Sequence, residues 1–358
     1  MPCTRPNLAI DAEGVCSGCR AYEARASIDW AARRREFDAL LSEHRRADGW
    51  DCVCPVSGGK DSTYQIVRLL ESGMHPLAVT SAPCDPAPIG ARNLANLRAL
   101  GVDHIHVTPN PKVRARLNRL GLEMVGDISW PEHVGIFSFP VHVAVRYGIN
   151  LIVWGEDPVS EYGQPPGYAP ERARFDRAWL EEFGGHNGLR VADLEGLGFA
   201  PHEVAPYRYP SDAECANLER VFMGRYLPWD GAANAVVSIA HGFETWPTAT
   251  EGSLVTYENL DNHQTAIHDW GCAIKFGFGR ATAQACLAVR RGTLTRADAM
   301  ALVAARRELA FPGACLGKPL AEILAPLGLT VDHFANVANT FVNRAILDGP
   351  VMNLRFRD

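Results

Sequence analysis

The sequence predicts an α/β fold: a doubly wound parallel sheet, preceded by a cysteine-containing knuckle and followed by a mainly helical region. Three observations carry this. Four short apolar runs recur between residues 52 and 154 with helical patterns between them, a Gly-rich turn follows the first run, and beyond about residue 170 helical patterns dominate. The chain of 358 residues divides accordingly into 1–48, knuckle and helix; 49–165, the α/β domain; and 166–358, the helical region.

Residues 1–20 are rich in Pro, Gly and Cys and carry no apolar period, so they read as an irregular knuckle. Over 27–44, Ile28, Trp30, Ala31, Phe37, Leu40 and Leu41 recur at helical spacing, and Ala47-Asp48-Gly49 ends that helix. Cys52-Val53-Cys54-Pro55-Val56 is the first strand, and the helix after its Gly-rich turn carries Ile66, Leu69 and Leu70 and stops at Gly73. A second strand runs over 77–81, and a helix marked by Leu94, Leu97 and Leu100 ends at Gly101. A third strand covers 104–108, helices follow over 113–120 and 134–147, and 150–154 is the fourth strand. This alternation implies right-handed crossovers, with ligands bound at the carboxyl ends of the strands. Gly163-Gln164-Pro165-Pro166-Gly167-Tyr168-Ala169-Pro170 reads as a boundary loop. Beyond it come helices such as 281–290 and 296–309, joined by aromatic-rich loops such as Tyr226-Leu227-Pro228-Trp229-Asp230.

A chain that is 47% hydrophobic and 21% charged buries a core and is not a disordered one. Its net charge of −6 offers no global positive field to nucleic acid, and the basic clusters Arg33 to Arg35 and His44-Arg45-Arg46 are short. No signal-peptide pattern opens the sequence and no run is long enough to span a membrane, so a cytoplasmic protein is expected. The ten cysteines are scattered along a long chain, as thiols of a reducing compartment are, and only Cys16-Ser17-Gly18-Cys19 has ligand-like spacing.

Chemistry concentrates in Ser57-Gly58-Gly59-Lys60-Asp61-Ser62-Thr63, between the first strand and its helix. Backbone amides and a helix N-terminus face an anion there, the glycines allow close approach, the hydroxyls donate, and Lys60 adds charge. Asp61 has a carboxylate to hold Mg²⁺ or to orient the loop. The plain alternative is a Gly-rich turn capped by Ser62 or Thr63. The segment is not a Walker A loop, because Cys54 stands at the first glycine position and Asp61 follows the lysine. It resembles the Ser-Gly-Gly-x-Asp-Ser loop of the ATP-pyrophosphatase (PP-loop) superfamily, which splits ATP to AMP and pyrophosphate and adenylylates a carbonyl or carboxyl oxygen.

Longer strings resemble the N-acetyl sugar amidotransferase family of bacterial surface-polysaccharide and flagellin-sugar biosynthesis. They are Gly14-Val15-Cys16-Ser17-Gly18-Cys19-Arg20-Ala21-Tyr22-Glu23, Ile28-Asp29-Trp30, Gly126-Asp127-Ile128-Ser129-Trp130-Pro131-Glu132-His133-Val134-Gly135-Ile136, Trp154-Gly155-Glu156-Asp157-Pro158-Val159-Ser160-Glu161-Tyr162-Gly163, His241-Gly242-Phe243-Glu244, His268-Asp269-Trp270 and Lys275-Phe276-Gly277-Phe278-Gly279-Arg280-Ala281-Thr282. The resemblance implies that ATP and Mg²⁺ convert the N-acetyl group of a nucleotide-activated sugar into an acetamidino group. Adenylylation of the amide oxygen makes an imidate from which ammonia expels AMP. Residues 57–63 and Ser81 are then expected on the ATP side, with Lys60 stabilising the departing pyrophosphate and Lys275 and Arg280 clamping phosphates. Lys60, Asp61 and Glu156 are the expected catalytic groups, Glu156 as acid/base or ammonia-orienting residue. Asp127, Trp130, His133, Glu161 and Tyr162 are expected on the substrate side. Against that stand plain readings of Trp130 as a packing aromatic, His133 as a helix-start residue and Arg280 as a solvated charge.

Family members carry a Cys-x-x-Cys pair ahead of the Cys16/Cys19 pair, which implies a four-thiolate zinc site; here only Cys3 precedes it. Zinc held by Cys3, Cys16 and Cys19 and two thiols in a turn are both open readings. Gly313-Ala314-Cys315-Leu316-Gly317 mimics a glutaminase nucleophile turn, but Phe311-Pro312 stands where a buried strand belongs and no His-x-Glu follows. Ammonia is therefore expected from solution or from separate glutaminase and ammonia-channel subunits. The competing functions are a tRNA-modifying thiolase or ligase of the same superfamily, disfavoured by the acidic balance, and a non-catalytic adenine-nucleotide-binding module, which has no need of Lys60, Asp61 and Glu156.

Overall fold

The computed structural model describes Thr4, residues 8–156 and residues 187–357. Cys3, Glu161, Tyr162 and the 163–170 loop lie outside the described residues. Five strands form an all-parallel sheet: β1 (Cys52–Pro55), β2 (Pro76–Ser81), β3 (Asp103–Val107), β4 (Leu151–Trp154) and β5 (Glu219–Phe222), in the order β3-β2-β1-β4-β5. Val53 is the hinge of the register, opposite Leu77 on one side and Ile152 on the other. The strand order reverses between β1 and β4, and a crevice opens at the carboxyl ends of such a pair.

The apolar runs make strands because both faces of the sheet are covered. Side chains of Cys52, Cys54, Ala78, Leu151 and Val153 pack with Phe37 and Leu41 of α2 (Trp30–Glu43), Ile66 and Leu69 of α3 (Lys60–Glu71) and Leu97 of α4 (Pro88–Ala99). The alternate residues Val53, Leu77, Val79, Ile152 and Trp154 pack with Val141 and Ala144 of α6 (Trp130–Tyr147) on the other face. The fold is therefore the expected doubly wound α/β sheet with a helical C-terminal region.

Several details differ from the expectation: the helix expected over 134–147 starts already at Trp130, and the one expected over 296–309 ends at Arg306. A helix, α1 (Ser17–Ala24), starts inside the knuckle directly after Cys16. The helix over 113–120 is longer, α5 (Pro111–Val125), because Pro111 opens it and Asn110 caps it by accepting from the Lys112 amide. The C-terminal region also contributes β5, which adds a strand beside β4. The described rest of that region is mainly helical, with α7 (Gly231–Ala240), α8 (Thr265–Phe276), α9 (Arg280–Arg290), α10 (Arg296–Arg306) and α11 (Val331–Thr340), and it also holds two short antiparallel pairs, Ala314–Cys315 with Lys318–Pro319 and Leu347–Asp348 with Arg355–Phe356. Ile267, Trp270 and Ile274 of α8 and Phe334 of α11 share a core with Leu122 of α5 and Ile128, which seats the helical region against the α/β layer. Among the described residues, no helix is long and apolar enough to cross a membrane.

Candidate active site

At the β1/β4 switch point the chain leaves β1 through Val56 and enters α3 at Lys60. Gly58 turns the loop with a φ of +83°, and a Cβ there would stand 2.9 Å from Leu94 Cγ. The loop closes on itself: the Ser57 amide donates to Ser62 Oγ at 2.8 Å, the Gly59 amide to Ser57 Oγ at 3.3 Å, and Thr63 Oγ1 to the Gly59 carbonyl at 3.2 Å. From β4, Gly155 leads to Glu156; a Cβ on Gly155 would meet Gln65 Oε1 at 2.8 Å.

These two ends border a cleft of about 580 Å³ lined by Ser57, Gly59, Lys60, Asp61, Ser62 and Glu156 together with Tyr257, Glu258, Arg280 and Gln284. Lys60 is 8% exposed. Its ammonium lies 2.6 Å from Asp61 Oδ2 and 3.3 Å from Glu258 Oε1. Burial opposes its charge, but Asp61 and Glu258 outweigh burial and hold Lys60 above the usual ammonium range. Asn234 of α7 fixes the other Asp61 oxygen through Nδ2 at 2.9 Å, and Ser238, one turn on, donates to the Lys60 carbonyl at 2.6 Å. Gln284 Nε2 donates to Glu258 Oε2 at 2.6 Å. Burial raises the Glu258 carboxyl, but the Lys60 and Arg280 charges outweigh it and hold Glu258 low.

Glu156 contrasts with Glu258. Crowding by the cleft walls, reinforced by the charge of Asp61, pushes it up to about 7, against the pull of Lys60 and Arg280. Its side chain keeps an exposed surface, so this is the desolvation of an open groove and not of a sealed interior. Arg280 grips Asp269 with two bonds of 3.1 and 3.0 Å and reaches Glu258 at 3.9 Å. It also borders a neighbouring cavity of about 450 Å³ lined by Trp246, Asp269, Trp270, Arg306, Arg307 and Phe311.

The structure thus brings together Ser57, Gly58, Gly59, Lys60, Asp61, Ser62, Thr63, Glu156 and Arg280. Lys275 is elsewhere, its ammonium on the Val125 carbonyl at 3.3 Å. Ser81 ends β2, and its hydroxyl lies under Gly135 of α6, where a Cβ would come within 2.5 Å. Asp127 and His133 sit together in a separate polar cluster with His268: Asp127 Oδ2 is 3.1 Å from His133 Nδ1 and Oδ1 is 2.8 Å from His268 Nδ1. Trp130 is 0% exposed and packs with Val113, Leu117, Val134 and Phe139, which matches the packing reading and not a stacking platform. Trp130→Ala is accordingly expected to cost about 3–5 kcal/mol of stability, read from the urea midpoint.

Cys16 and Cys19 lie with their sulfurs 3.4 Å apart, and Arg290 Nη2 is 3.9 Å from Cys16. Burial opposes ionisation of Cys16, but the bonds from Cys19 and the Arg290 guanidinium hold it below the ordinary thiol value; burial pushes Cys19 up. Two thiols and a guanidinium do not complete a tetrahedral zinc set, and among the described residues no third ligand joins them. Cys315 is 2% exposed and burial pushes its thiol up to about 12, unsuited to a nucleophile.

Sequence reasoning missed Glu258, Asn234 and Ser238, and carried Asp269 only within the His268-Asp269-Trp270 string, without a role. For Asn234 and Ser238 the signal was two polar residues one turn apart in the otherwise apolar Gly231-Ala232-Ala233-Asn234-Ala235-Val236-Val237-Ser238-Ile239. No curated protein matches the chain. Residues 246–347, which carry Glu258, Asp269 and Arg280, match the family model described as "LPS biosynthesis protein WbpG-like, C-terminal domain", and this match supports a place for the protein in lipopolysaccharide biosynthesis.

Proposed function

We propose that the protein is an ATP-dependent amidotransferase that adenylylates the N-acetyl oxygen of a nucleotide-activated sugar and lets ammonia displace AMP. The observation that carries this reading is the convergence of the 57–63 loop, buried Lys60 and high-pKa Glu156 on one cleft at the switch point of the sheet. Loop amides and the α3 N-terminus suit the β- and γ-phosphates, and Lys60 offsets the charge that builds on leaving pyrophosphate. The cleft-lining carboxylates Asp61 and Glu258 offer the oxygen donors Mg²⁺ takes, and the ion when bound would neutralise phosphate charge.

The steps balance. The amide oxygen attacks the α-phosphorus and pyrophosphate leaves; ammonia adds to the imidate carbon; the carbon–oxygen bond to AMP breaks; a proton from the former ammonia passes to Glu156. A carboxyl near 7 suits that last transfer at neutral pH. The acceptor fits the adjoining cavity, where Trp246 offers a face for a base and Arg306 and Arg307 offer charge for a diphosphate. Arg306→Gln should raise KM for the nucleotide sugar about 10-fold, the loss of one charged contact, and leave KM for ATP unchanged. Steady-state kinetics with each substrate varied reads the split.

The deciding experiment combines the protein with ATP, Mg²⁺, ammonium and a panel of N-acetylated UDP- and CMP-sugars. AMP release together with replacement of the amide oxygen by NH, seen in the mass of the sugar, is the expected result. ADP in place of AMP would overturn the reading. AMP released with tRNA and not with any sugar would transfer it to tRNA modification.

A further inference from the structure

We propose that Asp127, His133 and His268 form a binding site for one divalent first-row transition metal, distinct from the ATP cleft and from the Cys16/Cys19 pair. The donors come from three places in the fold: Asp127 from the turn between α5 and α6, His133 from the first turns of α6, and His268 from α8. Their ligand atoms all lie within 4.8 Å of one another.

The orientation is what singles this cluster out. Each oxygen of one carboxylate faces the Nδ1 of a different imidazole, at 2.8 Å for His268 and 3.1 Å for His133, and the rings stand edge to face with centroids 4.8 Å apart. Asp127 is 1% exposed. Yet its Oδ2 and the facing His133 Nδ1, both fully buried, form no hydrogen bond despite their proximity. Buried polar atoms left in that condition are costly, and a cation between them satisfies both with their lone pairs.

The surroundings hold the donors in place. The Ser129 amide donates to Asp127 Oδ1 at 2.9 Å, and Cys272 Sγ lies 3.8 Å from the outer nitrogen of His268, orienting the ring without entering the donor set. Two imidazoles and one carboxylate select a transition metal such as Zn²⁺ over Mg²⁺ or Ca²⁺, which take oxygen ligands. The His133 and His268 side chains remain 26% and 23% exposed, so solvent reaches the rims of both rings while the facing Asp127 Oδ2 and His133 Nδ1 stay buried. Glu132, next to His133, accepts the Cys84 amide at 3.0 Å, which ties the site to the segment leaving the carboxyl end of β2.

The test uses the full chain stripped with a chelator and titrated with Co²⁺, followed by visible absorption, with metal analysis of the protein as purified. One equivalent should bind with d–d bands and without a thiolate charge-transfer band, and it should persist in the Cys16→Ser/Cys19→Ser double variant. His133→Ala and His268→Ala should each weaken binding by more than ~100-fold, beyond the effect of losing an outer-shell contact. Circular dichroism confirms that each variant is folded, and His133→Gln, which keeps a similar volume, is measured alongside. No Co²⁺ binding by the wild type would overturn the proposal. So would full binding by the His variants, or a thiolate band that vanishes with Cys16 and Cys19. None of these readouts depends on the amidotransferase reading.

Discussion

Lys60→Ala is expected to cut AMP formation by ~10²–10³-fold, the effect of deleting one preorganised charge at a developing anion. The ammonium occupies the first turn of α3, buried, between Asp61 and Glu258. Among the described residues, the other cations lining the cleft are held by carboxylates, Arg280 on Asp269 through two bonds and Arg291 on Asp230. The loss also removes the strongest neutralising charge beside Glu156, whose carboxyl should then rise further. The variant is therefore predicted to show a slower reaction and a pH profile displaced upward. AMP chromatography at several pH values measures both, with circular dichroism confirming the fold. Wild-type AMP output from a folded Lys60→Ala protein would remove the 57–63 loop from the proposed mechanism.

The sequence disclosed the α/β half well because its signals are local. Residues 52–54 and 151–154 are buried on both faces and so read as unbroken apolar runs, and Gly58 and Gly59 mark the turn where the helix dipole is presented. β5 escaped because Glu219-Arg220-Val221-Phe222 is a short edge strand with two charged residues, and its pairing with β4 bridges 68 residues from Leu151 to Glu219. Glu258 escaped for a related reason. Tyr257-Glu258-Asn259 has no period, and its ion pair with Lys60 joins segments nearly two hundred residues apart. Trp130 shows the opposite failure: an aromatic beside Asp127 and His133 resembles a binding motif, yet Gly121 leaves the space against which it packs, with a Cβ there 2.6 Å from Trp130 Cβ. A sequence string shows which residue types recur, not which way each points.

The cleft joins a general device to a specific one. In the proposed reading the loop and α3 supply the phosphate contacts, whereas Glu258, Asp269 and Arg280 come from the segment that matches the lipopolysaccharide-biosynthesis family model. The chain Lys60 to Glu258 to Arg280 to Asp269 connects the two, so a ligand that draws Arg280 toward its phosphates also changes the charge balance at Lys60.

Glu156→Gln should separate the half-reactions of the proposed mechanism. Sugar-dependent exchange of pyrophosphate into ATP needs only adenylylation and should persist, while amidine formation should fall by ~10²–10⁴-fold, the range for loss of a general base. In the wild type the second half-reaction should rise as pH increases through about 7, because only the ionised carboxyl accepts the proton. Total ammonium must be varied at each pH so that free ammonia is constant. Stability should move the other way. The folded carboxyl titrates near 7 and the unfolded one near 4.5, so between these values the folded chain holds the extra proton and loses stability as pH rises. The glutamine variant should lack this decline in thermal midpoint over the same interval. If its amidine formation retains the wild-type pH profile, Glu156 is not the base, and the carboxyl's high value reflects only its crowded place beside Asp61.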